Sequence, residues 1–102
     1  MGTEEQEKKG CEEAIRHSEV AFSSFILSLG TSAMLYLGFA EDPTTGKKEV
    51  NLPMARHVID TLAMLKEKTK GNLEEDEEKL IDTMLFDLRL KFVEVCERKK
   101  AG

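Results

Sequence analysis

Two histidines, two cysteines and a lysine-rich turn are the groups with which this chain could do chemistry. His57 and Asp60 stand one turn apart, so a helix would set them on one face as a ligand pair. Zinc needs three or four ligands, and no other histidine lies near in sequence. His17 follows Glu13 at one turn's spacing in the polar lead, where a solvated histidine is the expectation. Cys11 and Cys96 have neither a CxxC partner nor a neighbouring histidine, so metal or thiolate chemistry has no support. Gly46-Lys47 resembles the end of a phosphate loop. Glu41 replaces the first glycine of that motif, and Lys48 replaces its Ser or Thr. Thr69, Gly71 and Asn72 gather with Lys66, Lys68 and Lys70 where one helix ends and the next begins. Opening N–H groups attract anions, but Glu74 to Glu78 already load that positive end. Asp60, Asp82, Asp87 and Arg89 border apolar stripes, where an inter-helix ion pair that fixes register is the structural expectation. Asp87 and Arg89 are two apart and cannot face each other on one helix. No nucleophile is paired with a base. The residues therefore predict no catalytic site, no metal site and no cofactor site, and the protein is expected not to be an enzyme.

The elements that position these groups are helical. Residues 1–17 are polar and carry almost nothing to bury, which predicts a mobile lead. A first helix is expected from Ser18 or Glu19 to about Leu37. Phe22, Phe25, Ile26, Leu29, Ala33, Tyr36 and Leu37 form a wide apolar arc on it, extended by Val20, Leu27 and Met34. Ala21, Ser24, Ser28 and Thr31 make a stripe of small residues. Their hydroxyls can bond back to the preceding turn, and a neighbouring helix could approach there. Gly38 ends this helix, and Asp42-Pro43-Thr44-Thr45-Gly46 is turn chemistry. Asn51 caps a second helix, with Pro53 in its first turn. Ala55, Val58, Ile59, Leu62 and Leu65 supply its core stripe. It closes at Gly71. Asn72 with Glu75 forms a capping arrangement for the last helix. That helix carries one stripe through Leu73, Leu80, Ile81, Met84, Leu88, Phe92 and Val95, and a second through Phe86, Leu90 and Val93.

The fold expected is all-α: one domain over 18–98 in which three principal helices form a small bundle, with 99–102 as a disordered tail. Homo-oligomerisation is expected to complete the bundle. The chain has 102 residues, no Trp and five Met, so aliphatic and methionine side chains must fill the core. A net charge of −5 disfavours nucleic acid as a partner, and acidic runs flank every short basic cluster. The leading residues are too charged for a signal peptide, and Gln6 stands where a myristoylation site needs Ser or Thr. A cytoplasmic location with reduced thiols is the expectation.

Val20 to Ala40 carry no charged side chain in a chain that is 34 % charged. Such a stretch must hide in a core, a partner or a bilayer. Nine Leu, Ile, Phe or Val residues would give roughly −3 to −5 kcal/mol on the insertion scale. Hydroxyl residues, two glycines and acidic flanks oppose this, so a membrane segment is the weaker reading.

From Phe22 to about Val95 the chain resembles a bacterial family of short proteins, the domain of unknown function numbered 1844. The resemblance rests on Phe22-Ser23-Ser24-Phe25, Leu27-Ser28-Leu29, Leu37-Gly38, Asp42-Pro43 and Thr45-Gly46. It continues through Asn51-Leu52, Ala55-Arg56-His57, Ile59-Asp60 and Leu65 to Leu73, then Asp87-Leu88-Arg89 and Phe92-Val93. It implies an all-helical fold and brings no assigned activity.

A bundle of this size buries one stripe per helix, yet the first and last helices offer more. Phe22, Phe25, Ile26, Leu29, Ala33, Tyr36, Phe86, Leu90 and Val93 are therefore expected at an oligomer or partner interface. A two-fold dimer is the commonest solution. The leading expectation is a soluble interaction or scaffold protein with an unidentified protein partner. The alternatives are a membrane-associated small protein, and a small-molecule binder using Asp60, His57 or Arg89 in an inter-helix pocket.

Overall fold

The computed structural model describes Cys11 and residues 20–101, and it shows three helices: α1 (Phe22–Tyr36), α2 (Leu52–Lys68) and α3 (Glu75–Ala101). The fold is all-α, and each helix packs on the other two. Residues 99–101, expected as a tail, belong to α3. Apart from Cys11, the expected polar lead, with His17 and Glu13, lies outside the described residues.

α1 begins at Phe22, after an extended Ala21 that supplies no side-chain cap. Ile26, Gly30, Ala33 and Leu37 recur at helical spacing and form its buried stripe. The hydroxyls of Ser28, Thr31 and Ser32 donate to carbonyls one turn back. The expected close approach over the small-residue stripe does not occur: Ala21, Ser24, Ser28 and Thr31 all face solvent. α3 instead approaches at Gly30, where an added Cβ would lie 2.6 Å from Met84 Sδ. A missing side chain makes the space, and a flexible thioether fills it.

Gly38 ends α1 at φ +82°, a left-handed conformation that glycine adopts without steric cost. A Cβ there would also lie 2.9 Å from Val50 Cγ2. The chain then loops out and returns, closed by an antiparallel bridge between Leu37 and Val50. The Asn51 N–H donates to the Tyr36 carbonyl at 2.7 Å, which joins the end of α1 to the start of α2. At the loop tip Asp42 accepts from the Thr44 N–H at 2.8 Å and from the Thr44 hydroxyl at 2.5 Å. These bonds hold the Asp42 carboxyl below the ordinary aspartate range, the Thr44 hydroxyl first among them.

Asn51 caps α2 as expected, accepting from the Met54 N–H at 3.2 Å. The helix closes on Thr69, whose hydroxyl bonds the Leu65 carbonyl at 2.6 Å. The cap of α3 differs from the expectation. Glu74, not Asn72, precedes the helix; its carbonyl accepts the first helical bond, and its N–H donates to the Glu77 carboxylate at 2.9 Å. This is the returning half of a capping box, shifted two residues by the acidic run.

One core joins the three helices. Ile26, Ala33 and Leu37 meet Ala55, Val58, Ile59 and Leu62, and both sets meet Ile81, Leu85, Leu88 and Val95. Ile26, Leu62 and Ile81 are wholly enclosed. No helix among the described residues is long and apolar enough to cross a membrane. The charge-free stretch contributes 15 residues to α1, whose buried stripe is part of this core.

Candidate functional site

α3 carries its second apolar stripe on the side away from the core. Phe86 is 67 % exposed, and Leu90 and Val93 are each 57 % exposed. The stripe follows from spacing: steps of four and three residues keep one face of a helix, while Ile81, Leu85, Leu88 and Val95 occupy the opposite face.

A groove runs beside the stripe, between α3 and α2. It consists of two shallow depressions of about 410 Å³ each. Lys66, Asp82 and Phe86 line one; Arg56, Ile59, Asp60 and Phe92 line the other. Arg89 and Val93 border both and make them continuous.

The charges along this groove and on the opposite flank of α3 are mostly settled within the chain. Lys66 pairs with Asp82 and links α2 to α3. Arg56 pairs with Asp60 at 3.4 Å on α2 itself. Asp87 bonds Lys91 at 2.7 Å, and Glu94 bonds Arg98 at 2.6 Å, each one turn along α3. Among the described residues the expected inter-helix ion pair is therefore realised at Asp82 alone. Asp60 and Asp87 find cations four residues away on their own helices, a shorter reach than a second helix. Arg89 makes no ion pair among the described residues. Lys91 also stands 6.0 Å from the Phe39 ring centre, which holds the loop after α1 against α3.

The other candidates do not converge. His57 is exposed on α2, and Asp60 turns to Arg56. Asp60 and Arg89 share the groove, but His57 does not line it. Cys11 is exposed and Cys96 half-buried, both as free thiols. Among the described residues no three His, Cys, Asp or Glu side chains are grouped to hold a metal ion. At the α2–α3 corner, Lys66 and Lys70 share a depression with Glu67, Glu78 and Asp82, so carboxylates already balance the lysines.

The residues expected at an interface divide into three groups. Ile26 and Ala33 are enclosed in the chain's own core. Phe22, Leu29 and Tyr36 are half-buried against it. Phe25, Phe86, Leu90 and Val93 reach solvent. Sequence reasoning missed Gly30, although its position on the buried stripe of a charge-free helix was the available signal.

These features define a small all-α domain with an exposed apolar stripe on its longest helix. Residues 19–94 match the family described as Domain of unknown function (DUF1844), and the chain belongs to that family. No curated protein and no solved structure matches the chain.

Proposed function

We propose that this protein is a soluble, cytoplasmic, non-catalytic interaction or scaffold module that works as a homo-oligomer. The observation that carries this reading is the stripe of Phe86, Leu90 and Val93, half or more exposed on a helix whose opposite face is buried. Completing the burial of side chains of this size stabilises by about 1.5–3 kcal/mol for a fully exposed group, and proportionally less for one already half covered. Several such groups on one helix make a surface suited to protein rather than to water. Most of the flanking charges, Arg89 excepted, are paired within the chain, so a partner covering the stripe strips few isolated ions of their water.

Sedimentation equilibrium on protein prepared without detergent tests the reading. A discrete dimer or tetramer at micromolar concentration is expected. A monomer at every concentration up to the millimolar range rules out the homo-oligomer. Recovery only from membranes would favour the bilayer-associated alternative.

A further inference from the structure

The apolar stripe is the middle of a longer seam. Along α3, Asp76, Lys79, Thr83, Phe86, Leu90, Val93, Glu97 and Lys100 succeed one another at alternating steps of three and four residues. That is the spacing at which one helix presents a continuous seam to another. All eight side chains are exposed.

The seam is complementary to itself when turned end for end. A two-fold axis at the level of Leu88 sets Phe86 opposite Leu90 of a second copy, and Thr83 opposite its Val93. Farther out, Lys79 meets Glu97 of the second copy, and Asp76 meets its Lys100. Every charge on the seam then faces its opposite, and the apolar residues meet in the centre. Such an interface is isologous, so each pair occurs twice.

Other arrangements fail on the same residues. A parallel pair sets Lys79 on Lys79, Glu97 on Glu97 and Asp76 on Asp76. Sliding the antiparallel pair by one heptad sets Phe86 against Glu97 in one direction and Leu90 against Lys79 in the other. On the flank away from α2, Asp87 and Glu94 are already neutralised by Lys91 and Arg98. On the flank beside α2 the two copies of Arg89 come near each other, a like-charge approach in this register, with Asp60 and Asp82 in the same groove held by Arg56 and Lys66.

We infer that a second copy of this chain docks on α3, antiparallel, in the register that pairs Phe86 with Leu90 and Lys79 with Glu97. This rests on the homo-oligomer reading and adds to it the surface, the direction and the register.

The test combines charge swaps with a distance. Lys79→Glu and Glu97→Lys should each weaken the dimer about fivefold or more, because each turns two attractive pairs into repulsive ones. The double variant K79E/E97K should return to within about twofold of the parent, since it restores opposite charges only in this register. A nitroxide at position 78, in a background with Cys11→Ser and Cys96→Ser, should report an axial separation of about 30 Å. A one-heptad slip would give about 20 or 40 Å instead. Phe86→Glu should be monomeric while retaining the helical circular dichroism of the parent. A monomeric parent would overturn this inference and the homo-oligomer reading together. A dimer that persists in Phe86→Glu, a double swap weaker than either single, or a slipped or parallel distance would overturn this inference alone.

Discussion

The inner and outer faces of α3 are built from the same kinds of residue and meet different fates. On the inner face Ile81, Leu85, Leu88 and Val95 are enclosed by α1 and α2. On the outer face Phe86, Leu90 and Val93 meet water. Residue type does not separate the two stripes. Two neighbouring helices can cover only one side of a third, so supply of partner surface decides which stripe is core. Hydrophobic pattern thus specifies a contact without saying whether it closes within the chain.

Truncating an enclosed side chain and an exposed one should have very different costs. Leu62→Ala or Ile81→Ala removes volume from a wholly enclosed site and should cost about 2–5 kcal/mol in urea unfolding. Phe86→Ala leaves no cavity inside the chain. At protein concentrations below those of association, its unfolding free energy should stay within about 1 kcal/mol of the parent. At high concentration the parent alone should gain stability, because self-association stabilises the folded state by mass action. Equal losses for inner and outer truncations at low concentration would mean that Phe86 belongs to the core.

At the α1–α3 contact the size of the added side chain should decide the cost. Gly30→Leu forces a full side chain into the space that Met84 occupies, and should cost about 1–3 kcal/mol by overpacking. Gly30→Ala asks only the tip of Met84 to move. Alanine also favours the helix by about 1 kcal/mol over glycine. Thermal unfolding of Gly30→Ala should therefore lie within about 1 kcal/mol of the parent. A loss as large as that of Gly30→Leu would show that Met84 cannot yield.

How much of this was legible in the sequence depends on the range of the forces. Asn51, Pro53 and Gly38 act through their own backbone neighbourhood, and each sits at the helix end expected of it, whereas α2 closes on Thr69, two residues before the expected Gly71. The inner stripe of α2 was legible too, because its spacing leaves one face to bury; that of α3 was legible at Ile81, Leu88 and Val95, while Leu85, buried with them, belonged to neither expected stripe. The inward side of α1 was not. Its apolar arc is so wide that Phe25 and Ile26 were equivalent candidates, and only packing separates them: Ile26 is enclosed and Phe25 is not. The α3 cap was misplaced because Glu74 to Glu78 offer several equivalent starts. The Leu37–Val50 bridge joins distant residues and leaves no periodic trace. For the candidate surface, Phe86, Leu90 and Val93 were visible as a second stripe, but their exposure and the groove beside them depend on where α2 lies.

Smaller effects test the local signals. Asn51→Ala should lower stability by about 1 kcal/mol, since the Met54 N–H loses its acceptor. The Lys66–Asp82 pair joins two helices but lies near the surface. A double-mutant cycle on it should give about 0.2–1 kcal/mol, shrinking with added salt. A coupling of zero would leave the placement of α2 beside the groove to apolar packing alone.

The smallest expected effect is at the loop tip, farthest in kind from either face of α3. Bonds from the Thr44 hydroxyl and N–H favour the charged form of Asp42 and lower its pKa. A depressed carboxylate contributes stability that is fully present above the unfolded aspartate value and is lost as pH falls through the folded one. The contribution should therefore disappear only under acid conditions below the ordinary aspartate range, while both faces of α3 keep their packing. Because Asp42 lies in open solvent, the change should be local. Amide resonances of Thr44 to Lys47 should move with the Asp42 titration, and those of Ile81 and Leu88 should not. Asp42→Asn should abolish that movement. If the core resonances shift at the same pH, the loop and the bundle unfold as one unit, and the bridge between Leu37 and Val50 is what couples them.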